Sequence, residues 1–443
     1  MSCLFGGCVS DWLDTQGMMT PPKANADQQE IHQLLQGTSA SLTFVYPSNG
    51  EYRSAIIMRD LTGDGKEDAI GFIKLDAGVE VQFMVKQDGA WRSVGRFRNA
   101  AAEVDRVCFG DVDGDGLSDV LIGWGNTQSV AATLTAYTYN GTRFTDTSFE
   151  EKYEAMVLTD FDHDNVMEVF IMQRPVLAQD ETTETIPARA EYFSIQNGDV
   201  VSLGYTEADD SITKFSSTVF GNITNKLSGV VTDGLKSDGS MTTQVFFLDT
   251  DGQLRSVPAY PNDPEAVSPF YRPSGPTFTA IDIDKDGIIE VPVATQMPVL
   301  SDEVLDSTSF LVEWSRARPY DDPQYRRILS GFMNLTENYW FRTPKWLERE
   351  ITATNDKKLR TVIYYKVEQS EGENGEEEQW MGPRLFGIRV FSRAAWEERA
   401  KLGGYEPLIE EDEQIYALIT YTKDEKYLLA IEKVKETFSL ISG

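Results

Sequence analysis

The sequence predicts a mainly β fold: a β-propeller of about five four-stranded blades, followed by a small C-terminal α+β domain. Three observations support this prediction. An acidic loop of nine residues between two apolar segments recurs along the chain, and successive copies start 51, 49, 62 and 60 residues apart. That period suits four short strands joined by turns. From about residue 335 the repeat stops, and strand and helix patterns alternate instead.

Length and charge restrict the domain organisation and the partners. The chain has 443 residues, enough for two or three domains or for one closed ring of repeats with an appendage. Its 71 acidic and 40 basic residues give a net charge of −31, which argues against nucleic acid and anionic lipid surfaces as partners. With only two histidines, His32 and His163, a histidine-ligated zinc site or a Ser-His-Asp triad is difficult to assemble.

Residues 1–40 are predicted to form a lipoprotein-like N-terminus, a linker and one helix. Small residues precede Cys3 and Cys8, as in bacterial lipoproteins, although the basic and long apolar regions of a signal peptide are missing. Because the chain has no run of about 20 apolar residues, any membrane attachment is expected to be a lipid anchor on Cys3 or Cys8. The periodicity of residues 26–35 predicts a helix, either as part of the tether or packed on the ring.

The acidic loops are the candidate metal sites. Each good copy has oxygen-bearing side chains at loop positions 1, 3, 5 and 9. Calcium prefers six to eight oxygen ligands at about 2.3–2.6 Å and tolerates irregular geometry, so Ca²⁺ is the expected ion. The predicted ligands, loop by loop, are Asp60, Thr62, Asp64 and Asp68; Asp111, Asp113, Asp115 and Asp119; Asp160, Asp162, Asp164 and Glu168; and Asp282, Asp284, Asp286 and Glu290.

The four loops are expected to differ in affinity for the ion. The loop that starts at Asp111 has four aspartates and should bind most tightly, with the loop at Asp282 close behind. Thr62 lowers the charge of the first loop but keeps an oxygen ligand. Asn165 replaces the usual glycine in the third loop, a change that a left-handed backbone conformation tolerates.

A fifth, degraded copy starts at Asn222, and Lys226 stands where the third acid should be, so no ion is expected there. Between the loops, hydrophobic residues alternate with polar ones, as in strands with one buried face. Residues 79–85 and 91–97 are one such pair, and Asp88-Gly89 between them is typical of a tight hairpin turn. Each repeat therefore supplies about four strands.

Five loop copies predict five blades within residues 41–333. The ring is expected to close through residues 41–46, paired with strands in residues 308–316, since such closure leaves no open sheet edge. A sixth blade is the alternative if residues 325–333 also belong to the ring.

The pattern Asp-x-Asp-x-Asp-Gly between apolar strands resembles the FG-GAP or VCBS repeat family, and this resemblance covers about residues 41–316. An EF-hand is disfavoured, because it needs flanking helices and a glutamate at loop position 12. The resemblance implies a propeller of bacterial lipoprotein type whose blades carry calcium. In that family the ions mainly hold hairpins in place, and bridging to a ligand is the alternative role.

Residues 334–443 are predicted to form the α+β domain. The predicted elements are strands at 350–354, 359–367, 385–391 and 414–421, an exposed loop at 370–378, a helix capped by Ser392 and a last helix near 427–440. The Phe-x-x-Pro-x-Trp segment at residues 341–346 resembles the start of the PsbP/Mog1-like fold. Five tryptophans could either pack in the core or form a sugar- or peptide-binding surface: Trp314, Trp340, Trp346, Trp380 and Trp396.

The sequence favours a non-enzymatic binding protein for a protein or glycan ligand. It would act as a monomer, either secreted or on the outer face of the bacterial cell membrane. No set of nucleophile, base and orienting group stands out, and propellers provide rigid scaffolds with binding loops. One alternative is a calcium-dependent hydrolase or lyase that uses further acidic residues. Another is an envelope-assembly lipoprotein whose C-terminal domain docks to a membrane complex.

Overall fold

The structure is a computed structural model. It describes residues 26–37, 42–126, 129–178, 184–259, 261–263, 268–275, 277–297, 309–371, 377–400 and 403–441. The predicted lipid-anchor cysteines, Cys3 and Cys8, lie outside the described residues. The chain divides into two compact units. Unit 1 falls within residues 1–153, 165–167 and 195–201, and unit 2 falls within residues 154–164, 168–194 and 202–443.

The fold is mainly β, as predicted. The described residues form four four-stranded sheets and two five-stranded sheets. Unit 1 contains the first two sheets, each an antiparallel meander in chain order. Their strands are β1 (Ile56–Arg59), β2 (Asp68–Leu75), β3 (Gly78–Gln87), β4 (Ala90–Asn99), β5 (Glu103–Gly110), β6 (Asp119–Asn126), β7 (Ser129–Tyr139) and β8 (Phe144–Ser148).

The hairpin between β3 and β4 confirms the predicted strand pair and its turn. Asp88 and Gly89 have φ values of 53° and 81°, the left-handed conformation that a two-residue hairpin turn with right-handed strand twist requires. Phe83 on β3 is fully buried and stacks on Phe144, with ring centroids 4.2 Å apart. These rings belong to the hydrophobic core of unit 1.

Helix α1 (Ala26–Gln36) packs on the first sheet, which is one of the two roles expected for it. Ile31 and Leu35 on one helix face are buried in a cluster that includes Trp91 of β4. The Trp91 indole Nε1 donates a hydrogen bond to Asp27 Oδ1 at 3.2 Å. The helix is therefore part of the folded unit and covers this face of the sheet.

The predicted partner of residues 41–46 was wrong. The amide of Val45 donates to the carbonyl of Phe72, and the amide of Lys74 donates to the carbonyl of Thr43. Residues 43–45 thus pair with β2 of the first sheet rather than with residues 309–316. Backbone pairing close in sequence satisfies the same hydrogen-bonding groups without a long-range contact.

The third and fourth sheets are again meanders in chain order. They belong to unit 2 apart from residues 195–201 of the third sheet, which fall in unit 1. In the degraded fifth copy, Asn225 and Lys226 form a tight turn, because Thr224 pairs directly with Leu227 across the hairpin. The acidic loop is therefore replaced by a short β-turn. The strands are β9 (Ala155–Thr159), β10 (Glu168–Gln173), β11 (Arg189–Gln196), β12 (Asp199–Glu207), β13 (Ile212–Thr224), β14 (Leu227–Lys236), β15 (Met241–Leu248) and β16 (Leu254–Val257).

The fifth sheet extends further than the sequence suggested. Residues 325–333 lie in its third strand and do not form a separate sheet. The boundary predicted between residues 333 and 334 falls at the end of this strand, and the next strand belongs to the same sheet. The strands are β17 (Val291–Gln296), β18 (Ser309–Ala317), β19 (Tyr325–Asn334), β20 (Tyr339–Arg342) and β26 (Ser439–Leu440).

The sixth sheet and two helices follow the strand and helix pattern predicted for the C-terminal part. Its strand order is β21-β22-β23-β25-β24, and β24 was not predicted. Ser392 accepts a hydrogen bond from the amide of Ala395, which confirms the predicted cap. The elements are β21 (Ile351–Asp356), β22 (Thr361–Glu371), β23 (Glu377–Ser392), α2 (Arg393–Ala400), β24 (Glu406–Glu411), β25 (Gln414–Thr420) and α3 (Glu425–Thr437).

The largest core of unit 2 lies between this sheet, α3 and β20. Tyr364 and Phe386 stack there with ring centroids 4.6 Å apart, and Val434 of α3 is fully buried. Residues 372–376 of the predicted exposed loop lie outside the described residues. Every helix in the described part of the chain is too short or too polar to cross a bilayer.

Candidate metal centres

Three of the four acidic loops occupy the same place in their sheets. The loops that start at Asp60, Asp111 and Asp160 join the first strand of a sheet to the second. The loop at Asp282 is closed by a bridge between Ile281 and Glu290, and β17 follows directly. Strands rather than helices flank the loops, which agrees with the exclusion of an EF-hand.

The carboxylate at position 1 is held by amides of its own loop. Asp111 accepts hydrogen bonds from the amide of Gly114 at 2.7 Å and from the amide of Gly116 at 2.8 Å. Asp60 accepts equivalent bonds from Gly63 and Gly65, each at 2.8 Å. Gly116 has a φ of 83°, a conformation that favours glycine, which explains the glycine at position 6.

The carboxylate at position 9 is buried in every loop and closes it. One of its oxygens always accepts a hydrogen bond from the amide at position 2. The exposed fractions of these side chains are 3% for Asp68, 1% for Asp119, 8% for Glu168 and 0% for Glu290. The amide-to-carboxylate distances are 3.0 Å from Leu61, 2.9 Å from Val112, 3.1 Å from Phe161 and 3.1 Å from Ile283.

The second loop has the electrostatics of a cation site. Burial, followed by repulsion from the neighbouring aspartates, raises the pKa of Asp119 to about 8. Its Oδ1 is buried and makes no hydrogen bond within the described residues. Asp160 Oδ1 in the third loop is buried in the same way. A cation would supply the missing partner, because a buried carboxylate oxygen without one is costly.

Three of the four loops gather carboxylates closely enough for a single ion. In each group, one oxygen per residue lies within 4.8 Å of the others: Asp111, Asp113 and Asp115; Asp160, Asp162 and Asp164; Asp282, Asp284 and Glu290. An all-oxygen donor set fits calcium or magnesium rather than zinc or copper. The Asp60 loop does not form such a group among the described residues.

Two loops contain a positively charged side chain of the protein itself. In the fourth loop, Arg316 Nε lies 2.6 Å from Glu290 Oε1, and its Nη2 lies 2.6 Å from Asp286 and 3.4 Å from Asp284. In the first loop, Lys66 Nζ lies 2.9 Å from Asp64. Burial still raises the pKa of Glu290 to about 7, although Arg316 acts in the opposite direction.

Arg316 is the functional residue that sequence reasoning missed. It lies on β18, and the register that pairs Val291 with Ser315 places it beside Glu290. A metal ion in this loop would have to compete with these three ion pairs, and the affinity expected for the Asp282 loop stays a prediction. Nothing in the local sequence of the loop signals this arginine.

The third loop confirms the expectation for Asn165. Its φ of 69° is left-handed, as predicted for the residue that replaces glycine. Asn tolerates this conformation better than most other residues. The loop can therefore keep its reversal without glycine at position 6.

No family model matches the sequence, and no curated protein matches it. Similar solved structures include the exotype rhamnogalacturonan lyase YesX, with 11% identity, a TM-score of 0.30, and coverage of 74% of this chain and 69% of that chain. A protein from Lactobacillus plantarum has 10% identity, a TM-score of 0.29, and coverage of 79% and 91%. Sqt1 of Chaetomium thermophilum has 9% identity, a TM-score of 0.28, and coverage of 82% and 93%. Such low scores carry no argument about fold or function, so the interpretation rests on the loops.

Proposed function

We propose that this chain is a calcium-stabilised, non-enzymatic binding protein that acts outside the bacterial cell. In this proposal, the five sheets that contain β1–β20 are the blades of a propeller, and calcium occupies the acidic loops. The observation that carries the proposal is the geometry shared by four loops. Each has a buried carboxylate at position 9, bonded to the amide at position 2.

The ion in this proposal has a structural role. Three of the loops join two neighbouring strands, and the fourth is closed by a two-residue bridge, so an ion bound in any of them would fix the loop and neutralise a buried carboxylate. Calcium sites of extracellular modules have dissociation constants of about 10⁻⁴–10⁻³ M, which calcium concentrations outside cells can saturate. Loops with three or four acidic ligands and a partly fixed geometry could therefore bind calcium at the proposed location outside the cell.

The positions of the carboxyl groups with raised pKa values favour a binding function over acid–base catalysis. In the described part of the chain, the carboxyl groups with raised pKa values all belong to the metal loops: Asp68, Asp113, Asp119, Glu168 and Glu290. Catalytic acids are commonly recognised by such shifts. Here the ion sites account for all of them, which leaves the hydrolase or lyase alternative without a candidate acid of this kind.

The proposal is tested by calcium titration of the chelator-treated full-length protein. Calorimetry should detect three or four ions per chain, and the melting temperature should rise with calcium. Asp113→Ala should lower the melting temperature in calcium and have little effect in chelator. Asp199→Asn, which removes an exposed carboxylate outside the loops, is the matched control. Absence of calcium binding, or an equal loss for Asp113→Ala in both conditions, would refute the proposal.

A further inference from the structure

Two tryptophans in the C-terminal part of unit 2 are unusually exposed. Trp346 is 37% exposed and Trp380 is 44% exposed, whereas Trp314 and Trp340 are at most 6% exposed and lie in the core. Large exposed aromatic surface is informative, because leaving it in water costs free energy. Both exposed indoles line the same cleft, which has a volume of about 1240 Å³.

The two indoles are held in fixed orientations. The Trp380 Nε1 donates a hydrogen bond to Glu368 at 3.1 Å. Lys426 Nζ lies 4.1 Å from the centroid of the Trp346 ring, and Tyr427 meets that ring edge-on at 5.7 Å. A rigid aromatic surface loses little conformational entropy when a ligand covers it.

Two exposed glutamines also line the cleft, on the opposite face of the β22–β23 strand pair from Trp380. Gln369 on β22 lies directly opposite Gln379 on β23, and both are exposed. Their side-chain amides make no hydrogen bond to another described residue, so each offers a donor and an acceptor to a ligand. Paired donors and acceptors of this kind suit the adjacent hydroxyl groups of a sugar ring.

Two lysines of the cleft are paired with glutamates of the protein. Lys426 Nζ lies 2.7 Å from Glu350 Oε2, and Lys366 Nζ lies 3.6 Å from Glu368 Oε1. Tyr427 also donates to Glu350 at 3.0 Å. A charged ligand would have to break these pairs, so the arrangement favours an uncharged one.

We infer that the cleft between Trp346 and Trp380 binds a neutral oligosaccharide. The apolar faces of the sugar rings would lie on the indoles, with their hydroxyl groups bonded to the glutamates, and neighbouring sugar units would reach the glutamines. The cavity exceeds the roughly 300–1,000 Å³ of pockets that hold drug-sized molecules, which favours several sugar units. This inference rests on the proposed binding function and names its ligand class, but it does not require calcium in the loops.

The test uses the full-length protein and neutral hexasaccharides of glucose, mannose, galactose and N-acetylglucosamine. Calorimetry gives the affinity, and tryptophan fluorescence reports whether the indoles are covered. Trp380→Ala is expected to weaken binding about tenfold, the factor that corresponds to one aromatic stacking contact. Gln379→Ala, which leaves both indoles in place, should weaken it several-fold. Tyr46→Ala removes an aromatic ring that is 62% exposed and lies in unit 1, and it should leave binding unchanged.

The inference is overturned if none of the four hexasaccharides binds, or if the Trp380 variant binds as tightly as wild type. Tighter binding of a hexauronate than of every neutral sugar would also overturn it, as would Trp380-dependent binding of peptides from a displayed library without sugar binding. A calcium titration of the same sample separates the two proposals. Calcium-dependent stabilisation without sugar binding refutes the cleft alone, whereas loss of both refutes the proposed function as well.

Discussion

Asp119→Asn removes the charge of a buried loop carboxylate and keeps the shape of its side chain. The side chain is 1% exposed, and its Oδ2 accepts the Val112 amide at 2.9 Å, a bond that the asparagine oxygen can also accept. Its Oδ1 has no partner within the described residues. The asparagine amide at this place would face the other carboxylates of the loop. The variant therefore removes the buried charge and keeps the hydrogen bond that closes the loop.

The magnitude of the effect follows from the pKa. Burial and the neighbouring aspartates raise the pKa of Asp119 from 3.8 to about 8. Without metal, the folded protein thus binds this proton more tightly than the unfolded chain does. The contribution of this protonation to the free energy of unfolding is fully present below pH 3.8 and is lost as the pH rises to about 8. A tenfold change in proton affinity corresponds to about 1.4 kcal/mol. The free energy of unfolding at pH 8 is therefore lower by up to roughly 6 kcal/mol.

Thermal unfolding in chelator at pH 5 and pH 8, with and without added calcium, measures this loss. Wild type in chelator should melt at a lower temperature at pH 8 than at pH 5, and calcium should remove most of the difference. Asp119→Asn should be more stable than wild type at pH 8 in chelator, and it should bind one calcium ion fewer. Asp199→Asn serves as the control for loss of an exposed charge. If the Asp119 variant melts at or below the wild-type temperature in chelator at pH 8, the argument from burial is wrong.

Three further variants test other parts of the structure. Arg316→Gln removes the guanidinium group that competes with calcium in the fourth loop. If this competition costs about 1.4 kcal/mol, the calcium affinity of the loop should rise about tenfold. An unchanged calcium affinity in calorimetry would contradict this role. Arg272→Met should destabilise the protein by about 3–5 kcal/mol in urea unfolding, because Asp233, 2.8 Å away and 1% exposed, would keep an unpaired buried charge. Adding Asp233→Asn should recover much of that loss. Leu35→Ala should cost about 2–5 kcal/mol if α1 is integral to unit 1, and an unchanged unfolding midpoint would argue against it.

Features with a local physical cause could be predicted from the sequence. Alternation of apolar and polar residues places β3 and β4, although only β4 has the mixed exposure that such alternation predicts, and residues 79–85 of β3 are buried on both faces. Asp88-Gly89 fixes the turn between them, because both residues accept a positive φ. The acidic loops could be predicted for the same reason: their carboxylates lie within nine residues, and glycine or Asn165 permits the reversal.

Features that depend on strand register could not be predicted. Arg316 reaches the fourth loop only because Val291 pairs with Ser315, a pairing between segments separated by more than twenty residues. Residues 41–46 were expected to pair far along the chain, yet they bond to β2 nearby. Strand β26 has only two residues, Ser439 and Leu440, so it carries no periodic pattern. In each case the tertiary structure, and not the local sequence, selects the partner.

The cationic side chains near the loops indicate where a bound divalent ion would matter most for stability. Arg316 and Lys66 already place positive charge beside the carboxylates of the fourth and first loops. In the second loop, the described residues bring no cationic side chain to Asp119, and its burial is almost complete. A divalent ion therefore relieves the largest uncompensated charge there, while in the fourth loop it must first displace a guanidinium group. The affinity of a loop thus depends on its surroundings as well as on the number of aspartates it contains.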